Sequence, residues 1–193
     1  MPHTFLDISL SLDGFAAGPD ISHQNPLGVN GEALHAWLFG NAAHQPNEAD
    51  RKAASDVFAG TGAFILGRTT FNVGEPLWGD DGAFGRPCFV LTSSPRPRHV
   101  KGLTTFDFIT DGPAAALNRA RAAAGEKSVC VMGGPTTARQ FVEAGLIDEM
   151  RIHLAPVLLG RGTRLFDTLP GMTRLTAAPA ISTPLATHLR FTR

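Results

Sequence analysis

The sequence predicts an α/β fold with a mostly parallel sheet and an antiparallel C-terminal hairpin. Three observations carry this. Short apolar runs alternate with helix-like stretches from residue 63 to residue 155, the pattern of βαβ units. Three of those runs end in small or hydroxyl residues, as strands of open α/β sheets do where they meet a ligand. Toward the end of the chain two strand-like runs, 172–181 and 184–192, meet at Thr183-Pro184 with no helix between them, which makes them antiparallel neighbours.

Each element has its own signal. Residues 4–13 alternate, with Leu6, Ile8, Leu10 and Leu12 on one face and Asp7, Ser9, Ser11 and Asp13 on the other, so they read as a strand. Gly14 ends it, and a flexible, polar, Gly/Pro-containing loop runs to about Asn30. Residues 32–39 read as a short helix with Leu34, Trp37 and Leu38 as its apolar positions. Residues 48–59 read as a second helix, with Ala49, Ala53, Val57 and Phe58 at helical spacing. Strands follow at 63–66, 88–92, 104–109, 128–132 and 148–155. Helices follow at about 69 onward, 113–124 and 135–145, and Gly145 suits the C′ position of the last. The 193 residues show no repeat and no linker, and read as a single domain.

Composition narrows the function. Hydrophobic residues make up 43% and charged residues 18%, which suits a packed globular protein. Seventeen basic and seventeen acidic residues give a formal net charge of +0, so nothing favours nucleic acid or an anionic membrane. No apolar stretch approaches the roughly 18 residues of a spanning helix. The first residues lack a basic signal-peptide start. The expectation is a soluble, cytoplasmic protein. Cys88 and Cys130 lie inside apolar runs and read as buried free thiols, and no Cys/His spacing suggests a metal. Arginine outnumbers lysine and alanine is abundant, as in a GC-rich bacterial genome.

The strand ends supply the candidate site. Val129-Cys130-Val131-Met132 runs into Gly133-Gly134-Pro135-Thr136-Thr137. Glycines there let backbone approach a pyrophosphate, and the following helix offers unpaired N–H groups. A tight βα turn that needs glycine only for its torsions is the competing reading. The segment is neither a Rossmann fingerprint nor a P-loop. Ala63-Phe64-Ile65-Leu66 runs into Gly67-Arg68-Thr69-Thr70, where a guanidinium fork suits a phosphate; a helix cap with a surface arginine is the alternative. Cys88-Phe89-Val90-Leu91 runs into Thr92-Ser93-Ser94, followed by Arg96 and Arg98. These suit a second phosphate, such as the 2′-phosphate of an NADP-type cofactor, or an exposed polar turn. Asp13 at the first strand's end is the candidate acid, or the acceptor of an Asx turn. His35 and Trp37 are candidates for touching a substrate ring, although Trp37 equally suits the core. No Gly-x-Ser-x-Gly elbow supports a serine hydrolase.

Taken in order, the segments resemble the dihydrofolate reductase-like superfamily, and more closely the C-terminal reductase domain of the riboflavin-biosynthesis deaminase-reductase and its stand-alone members. The matching pieces are Ser11-Leu12-Asp13-Gly14, Leu66-Gly67-Arg68-Thr69-Thr70-Phe71, Val90-Leu91-Thr92-Ser93, Val131-Met132-Gly133-Gly134, and Ala144-Gly145-Leu146-Ile147-Asp148-Glu149. The last continues into Pro156-Val157-Leu158-Leu159-Gly160-Arg161-Gly162 and Leu165-Phe166.

The resemblance implies a three-layer α/β/α fold, NADPH as hydride donor, a cis peptide in the double glycine, and a homodimer. It implies Arg68 and Thr69, after Gly67, at the cofactor phosphates. Thr92, Ser93 and Ser94 fall at the adenosine ribose and its 2′-phosphate. Gly133, Gly134, Pro135 and Thr136 fall at the pyrophosphate, and Ala16, Ala17 and Gly18 beside the nicotinamide. Two features depart from the family. The helix that carries a carboxylate in dihydrofolate enzymes has one acid, Glu32, and the 20–30 loop lacks a Lys/Arg set for a ribosyl phosphate. The expected activity is NADPH-dependent reduction of a small pterin- or pyrimidine-like heterocycle, or of a conjugated C=N or C=O group. Asp13 is the candidate acid, and the substrate pocket would be built from the first loop, His35, Trp37, and Leu158 and Gly160 of the 156–162 turn. The alternative is an NADP(H)-binding module with weak catalysis and a sensing or partner role.

Overall fold

The computed structural model describes residues 2–167, 169 and 171–193. A ten-stranded sheet runs β10–β12–β8–β1–β7–β3–β4–β6–β5, with β11 also paired to β12. Its central strands are β1 (Thr4–Ser11), β3 (Thr61–Gly67), β4 (Pro87–Leu91), β6 (Thr104–Ile109), β7 (Ser128–Gly133) and β8 (Glu149–Ala155). These pair in parallel. Both edges are antiparallel. β5 (His99–Lys101) closes one side, and β12 (Thr187–Thr192), β10 (Thr176–Ala177) and β11 (Ile181–Ser182) close the other.

The helices form two outer layers. α4 (Gly112–Ala124) and α5 (Pro135–Glu143) cover one face, where Leu117, Ala120 and Phe141 pack on Leu6, Ile8 and Val131. α1 (Ala36–Phe39), α2 (Glu48–Ala59) and α3 (Arg68–Gly74) lie on the other. There Val57 and Phe71 join Phe5, Phe64, Leu66 and Phe106, and Trp37 packs with Leu185 and Ala186. The three-layer, dihydrofolate reductase-like expectation holds. Cys88 and Cys130 are buried free thiols on strands flanking Phe64, and burial raises both thiol pKa values.

Local chemistry explains the helix limits. Asn47 caps α2 in a capping box: its side chain accepts from the Ala49 and Asp50 amides, and Asp50 accepts from the Asn47 amide. α5 ends in a Schellman motif, with Gly145 at φ +67° and the Leu146 and Gly145 amides bonded to the Phe141 and Val142 carbonyls.

Four expectations are corrected. β1 stops at Ser11 rather than residue 13, because Leu12, Asp13 and Gly14 (φ +83°) turn the chain. The segment expected as helix 32–39 is a 3-10 turn, Gly31–His35, leading into the single turn of α1. The run 172–181 is not one strand. It has only short pairings at 176–177 and 181–182, because Pro179 interrupts an exposed edge. The flexible loop after Gly14 is tied down. β2 (Phe15–Ala17) pairs with β9 (Thr163–Arg164), and Gly18 and Val29 donate to the carbonyls of Leu27 and Pro19. Glycine is required at Gly18, since a Cβ there would collide with the Val29 carbonyl.

Candidate active site

A cleft of about 1390 Å³ opens at the carboxyl ends of β1, β3, β4 and β7. It exceeds the roughly 300–1,000 Å³ of an ordinary small-molecule pocket. One part is a cradle of strand ends and helix starts, and the other is a polar pocket under the first loop.

In the cradle, β3 delivers Gly67-Arg68-Thr69, β4 delivers Thr92-Ser93, and β7 delivers Gly134-Pro135-Thr136, all lining the cleft. The Gly133–Gly134 peptide is cis. The Gly134 amide donates to the Thr70 hydroxyl at 2.7 Å, which joins two of the three strand ends. A Cβ on Gly67 would collide with the Thr137 hydroxyl, so glycine is what lets β3 approach α5 this closely. Arg68 donates through Nε to Asn72 at 2.9 Å, while its buried Nη1 has no partner. Its guanidinium and that of Arg96 lie 5.3 and 5.2 Å from the Phe108 ring centroid. Arg98, in contrast, is committed to Asp107 at 2.7 and 2.9 Å. An unpartnered guanidinium nitrogen beside a glycine-lined space suits a phosphate-bearing group.

The polar pocket grows from β1. Asp7, Ser9 and Ser11 alternate with the core residues and are buried themselves, so this polar face points into the protein rather than into water. Register sets Ser9 opposite His153 on β8, and His153 opposite His188 on β12. The His153 Nε2 faces both oxygens of Asp7 at 3.2 and 3.3 Å, and its Nδ1 lies 2.7 Å from the His188 Nδ1. The His188 Nε2 lies 2.9 Å from Asp50 Oδ1, which also accepts from the Thr183 hydroxyl at 2.9 Å. Trp37 stacks on His153 with 3.9 Å between centroids and donates from its indole to Ser9 at 2.9 Å. His35 lines the same pocket. Its buried Nδ1 is unpartnered, and burial lowers its pKa.

Several predicted site residues meet on this cleft: Ala17 beside the pocket, the cradle residues above, and His35 and Trp37. Others stand elsewhere. Gly18 is engaged with the Leu27 carbonyl, the Ser94 amide donates to the Thr92 hydroxyl, and Gly133 sits behind Gly134 in β7. Leu158 and Gly160 are not part of the cleft lining, and Leu158 is exposed. Asp13 has a structural post. Its carboxylate accepts from the Leu159 and Gly160 amides at 3.1 and 2.7 Å, which clamps the 156–162 turn to the end of β1. The Ser11 hydroxyl, then those amides, lower its pKa to about 2. A carboxyl held that low is ionised at neutral pH and has no proton to donate. The geometry gives the Asp13 carboxylate a structural contact, but with the remote 159 and 160 amides rather than with the nearby backbone an Asx turn would use.

Sequence reasoning missed Asp7, Asp50, His153 and His188 as a group. A polar face on a strand that pairs on both sides was the available signal for Asp7, and Asn-x-x-Asp was the signal for Asp50. The two histidines meet only through strand register.

Comparison with known proteins places this geometry in context. The family model described as the RibD C-terminal domain matches residues 2–183. The riboflavin biosynthesis protein RibD of Corynebacterium ammoniagenes is 27% identical over 195 residues, covering 90% of this chain and 50% of its own length. The chain spans half or less of the curated RibD relatives it matches. Among solved structures, a putative riboflavin biosynthesis protein from Shewanella superposes with a TM-score of 0.72 at 21% identity, over 99% of this chain and 98% of its own. A pyrimidine reductase-like protein from Corynebacterium diphtheriae superposes at 0.61 and 14% identity, over 99% and 91%. At these identities the likeness shows the fold.

Proposed function

The chain belongs to the RibD C-terminal domain family, and from that premise we propose that it is an NADPH-dependent reductase of a small heterocycle. The acceptor would be a pterin- or pyrimidine-like ring or a conjugated C=N or C=O group. The observation that carries this is the junction of the phosphate-type cradle at Gly67, Arg68 and Gly134 with a buried polar pocket inside one cleft. NADPH, when bound, supplies the hydride. Arg68 and the amides at the start of α5 would hold its phosphates, and Thr92 and Ser93, with Arg96 nearby, would take the 2′-phosphate end. Ser9, His35 and Trp37 would orient the acceptor. The pyrimidine acceptor class is supported by the description of the Corynebacterium diphtheriae relative. Most of the rate gain would come from positioning two reactants in one cleft. Homodimerisation, which the family resemblance implies, belongs to the same proposal.

The test is a paired titration with NADPH and NADH, read by nicotinamide fluorescence and thermal shift. The expected result is saturable binding, clearly tighter for NADPH. Absence of binding by either would overturn the cofactor reading.

A further inference from the structure

We infer that Asp7, His153, His188 and Asp50 form a one-proton store whose outlet into the cleft is Asp7. Four observations carry it. The chain of contacts is continuous: Asp7 to His153 at 3.2 Å, His153 to His188 at 2.7 Å, and His188 to Asp50 at 2.9 Å. Of the four residues, Asp7 alone lines the cleft. Most of the store is covered, because Trp37 stacks on buried His153 and edges against the partly buried His188, and Asp50 is fully buried. The outer end is pinned, because Asp50 is held by the Asn47 amide and the Thr183 hydroxyl.

Hydrogen counting gives the store its content. Each of the three contacts needs one hydrogen, and both carboxylates are acceptors when ionised. Four ring nitrogens therefore carry three hydrogens, one more than two neutral imidazoles hold, so the pair bears one positive charge between two carboxylates. The groups facing it are few. Ser9 and Arg151 flank it from the sheet, His35 and Trp37 from the first helical segment, Cys130 from β7 and Thr183 from the last turn. Arg151 is engaged by Glu149 at 2.6 Å. Burial lowers the His188 pKa while the Asp50 hydrogen bond opposes it, so this ring releases a proton more readily than a free imidazole.

Use of the store in catalysis rests on the reductase reading above. When a C=N or C=O acceptor is reduced, its carbon takes the hydride and electron pair from the reduced nicotinamide, which is oxidised. The His153 Nε2 proton passes through the Asp7 carboxylate to the acceptor's nitrogen or oxygen, and the His188 Nδ1 hydrogen passes to the His153 Nδ1. Both rings end neutral with one hydrogen each, and one solvent proton through the emptied cleft restores the third. Asp7 is then the catalytic residue, while His153 and His188 act through it.

The test is nitrogen-15 NMR of histidine-labelled protein across a pH titration. Three N–H groups in the pair are expected in mild acid, falling to two as pH rises; two at every pH in the folded range would overturn the store. The outlet is read from solvent exchange of the His153 Nε2 hydrogen. Asp7→Asn should slow it at least about tenfold, and unchanged exchange would overturn Asp7 as the exit. His188→Gln, which needs no change in the cleft, should abolish the third hydrogen, and its survival would overturn the pairing. With an acceptor in hand, Asp7→Asn should lower kcat by about a hundredfold or more at unchanged NADPH affinity, and unchanged kcat would overturn the catalytic use. Failure of NADPH to bind wild-type protein would refute the reductase reading and leave the NMR result standing on its own.

Discussion

Arg68 presents a buried guanidinium nitrogen without a partner at the mouth of the glycine-lined cradle. Removing a charge-assisted contact costs about 1.5–3 kcal/mol, so Arg68→Ala should raise the NADPH Kd roughly tenfold to a hundredfold. Arg119→Ala is the control, since Arg119 pairs with exposed Asp111 at 3.1 Å and neither residue lines the cleft. Equal small effects, measured by fluorescence titration, would remove Arg68 from the cofactor site. Asp13 carries a different prediction. Its carboxyl pKa is lowered from 3.8 to about 2 on folding. A carboxyl lowered in this way stabilises the fold above its unfolded value and loses that contribution as pH falls through the folded one. The clamp on the 156–162 turn is therefore full above pH 3.8 and released toward pH 2. Hydrogen exchange at the Leu159 and Gly160 amides should quicken over that interval, and at neutral pH in Asp13→Ala. Unchanged exchange would contradict the clamp. Asp13 also shows what a motif leaves out. Ser11-Leu12-Asp13-Gly14 named the right turn, but only the through-space partners at 159 and 160 show what the carboxylate does there.

At the scale of elements, signals that lie within a few residues of one another were legible. The capped helix 48–59, the strand 104–109 and Gly145 at C′ are all as the sequence reads, because capping and burial periodicity are local. The C-terminal strands were legible only in sense. Their extents depend on which residues find a ladder partner, and residues 172–175 have none. What fixes β12 beside β8 is partly a charged row across the sheet. Glu149 accepts from Arg151 at 2.6 Å, and Arg190 lies 3.1 Å away on β12. His3 approaches it at 3.4 Å. Burial raises the Glu149 carboxyl pKa, but the Arg151 hydrogen bond and the Arg151 and Arg190 charges outweigh it and hold the pKa below its usual value. Glu149→Gln should lower stability by about 1–3 kcal/mol, the cost of leaving the largely buried Arg151 guanidinium underpaired. The loss should shrink as pH falls below the ordinary carboxylate range, because the wild-type carboxyl is then protonated too. Urea unfolding at neutral and acid pH measures both, and a pH-independent loss would contradict the assignment.

For the whole molecule, the order of strands decides what the cleft contains. β1 lies between β7 and β8, so one strand contributes a core face to the α4–α5 layer and a polar face to the pocket. The cradle was readable from three strand ends because each carries its glycine or hydroxyl within its own segment. The Asp7–His153–His188–Asp50 chain was not, because its members are joined by register across sequence separations of 146, 35 and 138 residues. Among the described residues no helix is long and apolar enough to cross a membrane, and no cluster of metal-ligating side chains occurs. The central claim is that this cleft transfers hydride to a small heterocycle. It is tested most directly by incubating the protein with NADPH deuterated at the transferring position and a panel of pterins, aminopyrimidines and conjugated imines, with mass spectrometry of the products. The account predicts oxidised cofactor and one deuterium on the carbon of one reduced acceptor class. Saturable NADPH binding with no deuterium in any acceptor would contradict it and favour a binding module without catalysis.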